Sequence, residues 1–173
     1  MIKAPVPRTL IAFLFLLAAI SACSSNSGGD QKLQTMPAAE AKKRLDAYGR
    51  QVEKILGHGD AVWQQGVAGP CKERYKQLPG GASDPYDIVN FGRIENFPSE
   101  QMKTELTHLK EELEGQGWTT TKDTLESGKT ILEASFRYGD GFSVVIEGMQ
   151  RERRIVVSVG SPCLHRPSGD TET

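Results

Sequence analysis

The sequence has few of the residues from which metal and redox centres are built. It contains three cysteines and three histidines in 173 residues, and none of them lies in a CxxC, HExxH or DxDxDG pattern. His58 stands between glycines, His108 lies in a charged helical segment and His165 is near the end of the chain. No two histidines have the spacing of metal ligands. We therefore expect no metal and no cofactor.

An excess of positive charge is also lacking. The chain has 21 basic and 22 acidic residues, and without residues 1–22, which hold Lys3, Arg8 and no acid, 19 basic residues remain, for a net charge of −3. DNA- and RNA-binding domains usually carry a basic surplus on one face, so we expect no nucleic-acid partner. A local basic cluster at Arg151, Arg153 and Arg154 is interpreted as a solvated loop between strands. Its alternative is contact with anionic lipid headgroups or wall polymers.

The chain has only one long apolar run, the eleven residues from Leu10 to Ile20. A membrane-spanning helix needs about twenty apolar residues to cross roughly 30 Å of hydrocarbon. The run follows a basic stretch and is followed by small polar residues, which is typical of a secretory signal peptide. It therefore targets the chain and does not span a membrane.

The four residues after this run, Ile20-Ser21-Ala22-Cys23, resemble the lipobox of bacterial lipoproteins, with Ile20 in place of the commoner leucine. The resemblance implies that a diacylglyceryl group is attached to the Cys23 thiol and that the chain is cleaved after Ala22. Two acyl chains, each contributing about 0.8 kcal/mol per buried methylene, would hold the protein on a membrane. The alternative is an ordinary secretory signal with an incidental cysteine. We predict a lipoprotein signal peptide at 1–22, a flexible tether at 23–35, one domain at 36–165 and a polar tail at 166–173.

The two other cysteines, Cys71 and Cys163, are predicted to form a disulfide. Cysteine pairs outside the cytoplasm usually do so. The bond would close a loop of about 92 residues and stabilise the fold by roughly 4 to 5 kcal/mol in the chain-entropy model. The alternatives are a free reactive thiol or a metal-binding pair.

Two amphipathic helices are predicted. The first begins near Pro37 and ends at residues 57–59, where two glycines stand. The second opens at Pro98 with Ser99 as its N-cap and ends at Gly115 and Gly117. Apolar residues recur on one face of each: Ala41, Leu45, Tyr48, Val52 and Ile55 in the first, and Met102, Leu106, Leu109 and Leu113 in the second.

The strands are predicted mainly in the second half of the chain. Residues 61–85 are expected to be irregular, and residues 86–97 to form a strand with a bulge at Gly92, where the alternation fails. Strands follow at 117–127, 129–138, 142–149 and 154–161. The first of these is polar and rich in threonine, which indicates an edge strand. The last buries Ile155, Val157 and Val159.

The turn between the strands at 129–138 and 142–149 can be predicted in detail. A two-residue turn would place Phe136 against Val145 and mix apolar with polar residues on each face. A three-residue turn at 139–141 pairs Phe136 with Val144 and keeps the faces separate, with Gly141 supplying a positive φ. The fold class that follows is α+β: a two-layer sandwich of a mostly antiparallel sheet of four or five strands with two helices on one face.

No catalytic residues are predicted. Ser83 lies in Gly-Gly-Ala-Ser, which lacks the GxSxG pattern and its strand-turn-helix setting. Glu133 and Glu147 could meet in space as a carboxylate pair, but both are expected on the solvent face of the sheet.

Three short motifs follow the tether along the chain. They are Gly69-Pro70-Cys71, Gly117-Trp118 after the second helix, and Ser161-Pro162-Cys163. In this order the chain resembles small actinobacterial lipoproteins, some of the mycobacterial LppA-like kind, over most of residues 36–165. The resemblance implies an extracytoplasmic, lipid-anchored α+β domain. Many such proteins have no assigned activity, so it leaves the function open.

The preferred hypothesis is a membrane-anchored extracytoplasmic lipoprotein with a non-catalytic binding or interaction domain, whose envelope protein or polymer partner is unknown. The alternative is a carrier of an apolar ligand between sheet and helices, which requires a pocket not filled by Leu106, Leu109, Phe136 and Phe142. The least favoured is a hydrolase acting on envelope material. An open, apolar solvent face of the sheet, with Ile131, Val145 and Val156, would favour an interaction domain.

Overall fold

The computed structural model describes residues 33–57, 61–71, 84–125 and 130–170. In this part of the chain two α-helices, ten strands and one short 3-10 helix follow one another. In chain order they are β1 Gln34–Thr35, α1 Ala38–Leu56, β2 Val62–Gln64, β3 Gly69–Pro70, β4 Tyr86–Asp87, β5 Val89–Ile94, α2 Ser99–Gly115, β6 Thr119–Asp123, β7 Ile131–Arg137, β8 Ser143–Met149, the 3-10 helix Gln150–Glu152, β9 Arg154–Gly160 and β10 Leu164–His165.

The larger sheet has six strands in the order β2-β5-β9-β8-β7-β6, and every neighbouring pair is antiparallel. The predicted α+β class is confirmed, with more strands than expected. The polar strand β6 lies at the edge, as predicted. Phe136 pairs with Val144 in the predicted register, and beyond the strand ends the Tyr138 N–H donates to the Phe142 carbonyl (2.9 Å), which leaves residues 139–141 as the turn. Gly141 has a φ of 88°.

The second, smaller sheet has the order β1-β10-β4-β3. It continues from the end of the large sheet, because β4 leads through Ile88 into β5 and β10 follows β9. The backbone N–H of Ser161 donates to the Ile88 carbonyl (2.9 Å), and the Ile88 N–H donates to the Ser161 hydroxyl (3.0 Å). The predicted single strand at 86–97 is therefore two strands in different sheets.

Both helices cover one face of the large sheet. α1 contacts β5 and β9, whereas α2 contacts β6, β7 and β8. The predicted stripe of α2 is buried, and its approach is so close that a Cβ built on Gly148 would lie 2.7 Å from Leu106 Cδ1. One apolar cluster fills the space between the layers, and its members include Leu45, Val52, Met102, Leu106, Leu109, Leu113, Phe136, Phe142, Val144, Ile146, Val157 and Val159.

The helix ends agree with the sequence except at one cap. Gly57 ends α1 in the left-handed conformation, with its N–H donating to the Glu53 carbonyl (3.0 Å). The N-cap of α2 is Pro98, and no side chain caps it. The prediction of Ser99 as N-cap was wrong, because Ser99 is already helical and its hydroxyl lies 3.4 Å from the neighbouring Glu100 carboxylate.

Gly92 does not form the predicted bulge. β5 pairs without interruption with both neighbours, and Trp63 stands opposite Gly92. A Cβ on Gly92 would lie 2.9 Å from the indole of Trp63, and one on Gly49 of α1 would lie 2.8 Å from it. The two glycines thus make room for a ring inserted between helix and sheet. Residues 61–71, expected to be irregular, supply β2 and β3.

Residues on both sides of the segment 36–165 also contact the folded unit. β1 pairs in parallel with β10, so Gln34 and Thr35 belong to the small sheet. Beyond β10, the guanidinium carbon of Arg166 lies 4.6 Å from the centre of the Tyr86 ring. The Asp170 carboxylate accepts the N–H of Ala38 at the start of α1 (3.1 Å).

Candidate interaction surface

The face of the large sheet opposite the helices, here called the outer face, carries every second residue of β5, β7, β8 and β9. Its apolar members include Phe91, Ile131, Val145, Met149 and Val156. Phe91 is 47% exposed and Ile131 is 52% exposed. At the edge of the same face Val62 of β2 is 65% exposed. Apolar side chains this large in contact with water mark surfaces that bind other molecules when they lie close together.

One row of side chains crosses the outer face through its middle strands. Arg93 on β5 is in register with Val156 on β9, which is in register with Glu147 on β8. Neither Arg93 nor Glu147 makes an ion pair with another described residue. A valine thus lies between a cation and an anion that have no partners within the described fold.

A second row lies beside the first, two residues along each strand. Phe91 on β5, Ser158 on β9 and Val145 on β8 are in register. Ser135 of β7 follows Val145 in the same row. This second row is therefore apolar with two small hydroxyls, whereas the rest of the face also carries the charged residues Arg93, Glu133, Arg137, Glu147 and Arg154.

The carboxylate pair considered from the sequence is adjacent on this face. Glu133 and Glu147 are register partners on β7 and β8. The ammonium of Lys122 donates to both oxygens of Glu133, at 2.7 and 2.6 Å. A carboxylate held by a lysine on an open sheet is typical of a structural ion pair. Glu147 remains the unpaired member.

The basic cluster is not a set of three free cations. Arg154 Nε lies 3.0 Å from Glu95, and its Nη1 lies 3.4 Å from Glu152. Arg153, which adopts a φ of 52°, donates to the carbonyl of Asn96 (3.4 Å). The cluster lies at the start of β9, of which Arg154 is the first residue. The small sheet follows the other end of β9, about 20 Å away because the strand has seven residues. The cations therefore lie at the opposite end of β9 from β1.

The predicted cysteine pair is brought together. Cys71 and Cys163 are joined by a disulfide with a Cα–Cα distance of 5.9 Å across 92 positions of sequence. The bond ties the residue after β3 to the segment between β9 and β10. It therefore fastens the small sheet to the end of the large one.

A histidine–carboxylate contact was not expected from the sequence. His165 was assigned to the end of the domain, but it lies in β10, with Nδ1 3.2 Å from Asp84 Oδ1. The same oxygen accepts the backbone N–H of Arg166 (3.0 Å). Within the described ranges no serine, threonine or lysine side chain bonds to His165. The contact therefore joins β10 to the segment just before β4. The sequence does not show it, because the two residues come together only when distant segments pair.

A polar groove of about 580 Å³ lies between the two helices on the surface away from the sheet. Gln51 of α1 and Gln116 beyond α2 form a hydrogen bond across it. His108 lines it, opposite the basic residues Arg50 and Lys54. The groove is open to solvent, and it is not the apolar space between sheet and helices that a carrier would need.

Some predicted residues lie outside the described parts of the chain. These are Cys23, His58 and Ser83, so the structure says nothing of their surroundings. Among the residues that are described, no three His, Cys, Asp or Glu side chains form a group able to hold a metal ion. None of the helices found there has the length and apolar character to cross a bilayer.

Comparisons with known proteins do not connect this geometry to a family. No family model matches the chain, and neither a curated protein nor a solved structure matches it. The function must therefore be argued from the chain's own residues.

Proposed function

We propose that the protein is a membrane-anchored extracytoplasmic lipoprotein whose folded part is an interaction domain of the cell envelope. The observation that carries the proposal is the outer face: the helices of the described residues cover one side of the large sheet, and Phe91, Ile131 and Val62 are exposed on the other. A domain that uses its surface to bind needs such a face.

The anchor is supported by sequence. The eleven-residue apolar run and Ile20-Ser21-Ala22-Cys23 are the features of a lipoprotein signal. The Cys71–Cys163 disulfide agrees with this location, because disulfides persist in oxidising compartments outside the cytoplasm.

The carrier and the hydrolase are less well supported. The carrier needs space that is not filled by Leu106, Leu109, Phe136 and Phe142, but all four are at most 2% exposed and belong to the packed cluster. The hydrolase would use Glu133 and Glu147, of which Glu133 is bound by Lys122.

The anchor is tested by the intact mass of the protein extracted from membranes. We expect the mass of a chain that begins at Cys23 and carries acyl groups, and a Cys23→Ala variant that leaves the membrane fraction. An unmodified Cys23, or retention of residues 1–22, would refute the anchor. Alkylation without reductant should leave Cys71 and Cys163 unlabelled.

The interaction surface is tested by photo-crosslinking in intact cells. A photoreactive residue at position 91 on the outer face is compared with one at position 51, on the helix surface of the opposite side. We expect adducts from position 91 well above those from position 51. Equal yields, or none from position 91, would contradict an interaction role for the outer face.

A further inference from the structure

We propose that the outer face binds a second copy of the same chain, across a two-fold axis that runs along β9. The inference rests on the proposed function and deepens it by naming the partner. A two-fold interface must be self-complementary. If one residue of the first copy contacts another residue of the second copy, the same two residues also make contact with the copies exchanged. Arg93 and Glu147 satisfy this condition about β9, whereas Arg154, which lies on β9 itself, faces its own counterpart and keeps its partners Glu95 and Glu152 within the chain.

The first row gives the charge complementarity. β9 lies between β5 and β8, with Arg93 on one side of Val156 and Glu147 on the other. Rotation about β9 exchanges the positions of β5 and β8 in the facing sheet. Arg93 of each copy then lies opposite Glu147 of the other, and Val156 meets Val156. Arg93 and Glu147, which lack an ion pair within the described fold, each gain one.

The second row fits the same axis. Phe91 and Val145 also lie on either side of β9, with Ser158 between them. The rotation places the Phe91 ring on Val145 of the other copy, which buries the exposed ring. It places the two Ser158 hydroxyls together, where one can donate to the other.

Other axes fit less well. An axis between β9 and β8 would place Val156 on Glu147 and bury that carboxylate against methyl groups, which is costly. An axis across the strands would place Arg93 on its own counterpart, or on Phe91, and leave the charges unpaired. Of these axes, only the one along β9 pairs Arg93 with Glu147 and Phe91 with Val145.

The direction of this axis also suits two chains anchored in one membrane. A rotation about a line parallel to the strands leaves the ends of β9 where they are. The small sheets of both copies, and with them β1 at the start of the folded unit, therefore lie at the same end of the pair. An axis across the strands would send the two chain starts in opposite directions.

The area is sufficient for a weak but specific interface. The six strands hold three to seven residues each, and at about 4.8 Å between strands and 3.4 Å for each residue they give a footprint of roughly 570 Å². Stable complexes bury about 800 Å² of each partner, so the face falls at the lower end. Paired charges border the apolar middle, as the Lys122–Glu133 and Arg154–Glu95 ion pairs do here.

The decisive test uses charge reversal in full-length chains carrying two different tags and expressed together in the same cells. We expect wild-type copies to co-purify, and Arg93→Glu with itself, or Glu147→Arg with itself, to do so at least about tenfold less, since like charges then face each other. Arg93→Glu expressed with Glu147→Arg should recover co-purification, because both contacts of that mixed pair are between opposite charges.

Recovery by mixing also proves that both variants fold. It separates a contact between copies from a contact within one chain, which mixing could not restore. Unchanged co-purification of the single variants, or no recovery in the mixed pair although each variant keeps its wild-type circular dichroism spectrum, would overturn the proposal.

Cross-linking gives an independent measurement. Val156→Cys in the full-length chain should form a dimer on mild oxidation, because residue 156 meets itself on the axis. Ser135→Cys is the matched control, since β7 lies two strands from β9, about 10 Å from the axis. Equal dimer yields from the two would refute the axis.

The photo-crosslink at position 91 distinguishes this failure from failure of the proposed function. An adduct of twice the mass of the chain supports the second copy. An adduct of another mass overturns the proposal of a second copy but still supports the proposed interaction role of the outer face.

Discussion

The two faces of the large sheet come from the same strands and differ by one residue step. On the inner face, Leu132, Ala134 and Phe136 of β7 are each at most 2% exposed. On the outer face, the alternate residues of β7 include Ile131, Glu133 and Arg137. The side chains of the inner face fill the volume between sheet and helices. The outer face combines apolar side chains with charged ones. This difference supports the proposal that the outer face binds a partner.

The largest effect on the free energy of unfolding should come from a carboxylate introduced on the inner face, compared with one introduced on the outer face. Leu132→Asp places an unpaired carboxylate among packed side chains and should cost at least about 5 kcal/mol, which is enough to unfold many domains of this size. Ile131→Asp, at the neighbouring exposed position, should change the unfolding free energy by less than about 1 kcal/mol. Urea unfolding followed by tryptophan fluorescence measures both. Similar losses would show that Ile131 is buried.

A smaller effect should follow from crowding the inner face. Gly92→Ala places a methyl group against the Trp63 ring and should cost about 1 to 3 kcal/mol, because the indole is also confined by Gly49. Gly139→Ala is the control, since a Cβ there would meet nothing within 4 Å. The same urea titrations apply. A neutral Gly92→Ala would mean that Trp63 moves freely.

On the helix side of the sheet, a polar contact holds the turn after β7. The Tyr48 hydroxyl donates to Asp140 Oδ2 (2.8 Å), which also lies 3.4 Å from Arg44. Tyr48→Phe keeps the ring contacts with Trp118 and Phe142, so it removes the hydrogen bond alone. We expect a loss of about 1 to 2 kcal/mol near neutral pH.

The same variant makes a prediction about alkaline pH. Burial, and then the hydrogen bond to Asp140, raise the pKa of Tyr48 above its usual value of 10.0. The folded state therefore favours the protonated hydroxyl. The contribution of the Tyr48 hydroxyl to the free energy of unfolding is complete below about pH 10 and lost as the pH rises further. The stability difference between wild type and Tyr48→Phe should stay constant up to about pH 10 and narrow as the pH rises above it. A constant difference would contradict the raised pKa.

The smallest effects should distinguish two ion pairs on opposite sides of the edge strand. Asp123 of β6 lies 2.6 Å from Lys110 of α2, whereas Lys122 lies 2.6 Å from Glu133 on the outer face. Asp123→Asn should cost up to about 1 kcal/mol and Glu133→Gln less than about 0.5 kcal/mol, because Lys122 is the more exposed lysine. Thermal unfolding compares them.

The difference should depend on pH for one pair. The Lys110 ammonium, and then the Leu125 N–H, lower the pKa of Asp123 below 3.8. The contribution of this ion pair to the free energy of unfolding is present above that value and lost as the pH falls through the folded-state pKa of Asp123. The stability gap between wild type and Asp123→Asn should therefore close in acid. A gap that persisted would mean that the carboxylate is not held by Lys110.

Local patterns predicted the parts of the fold that depend on neighbours in sequence. The stripe of α2 and the turn at Gly141 follow from periodicity, because only one helix face and one register keep apolar residues together. Trp63 between two glycines could not be predicted, since the ring meets residues of two other segments. β1 and β10 have two residues each, too few for any periodicity.

The candidate surface was predictable in part for the same reason. Alternation within β7, β8 and β9 places Ile131, Val145 and Val156 on the outer face. Phe91 and Arg93 were missed, because Gly92 interrupts the alternation of β5. The alignment of Arg93 with Glu147 requires the pairing of β5 with β9, more than sixty residues apart, and that register is a property of the folded chain.

The pairing of β1 with β10 has a mechanical consequence. Any attachment upstream of Leu33 transmits force to β1 before it reaches α1. The first resistance comes from two residue pairs, Gln34 with Leu164 and Thr35 with His165, and from the hydrogen bonds of Met36 to His165 (2.9 Å) and Tyr86 (2.7 Å). A pull applied there would thus extend the chain by a few residues while the six-stranded sheet and its outer face keep their shape.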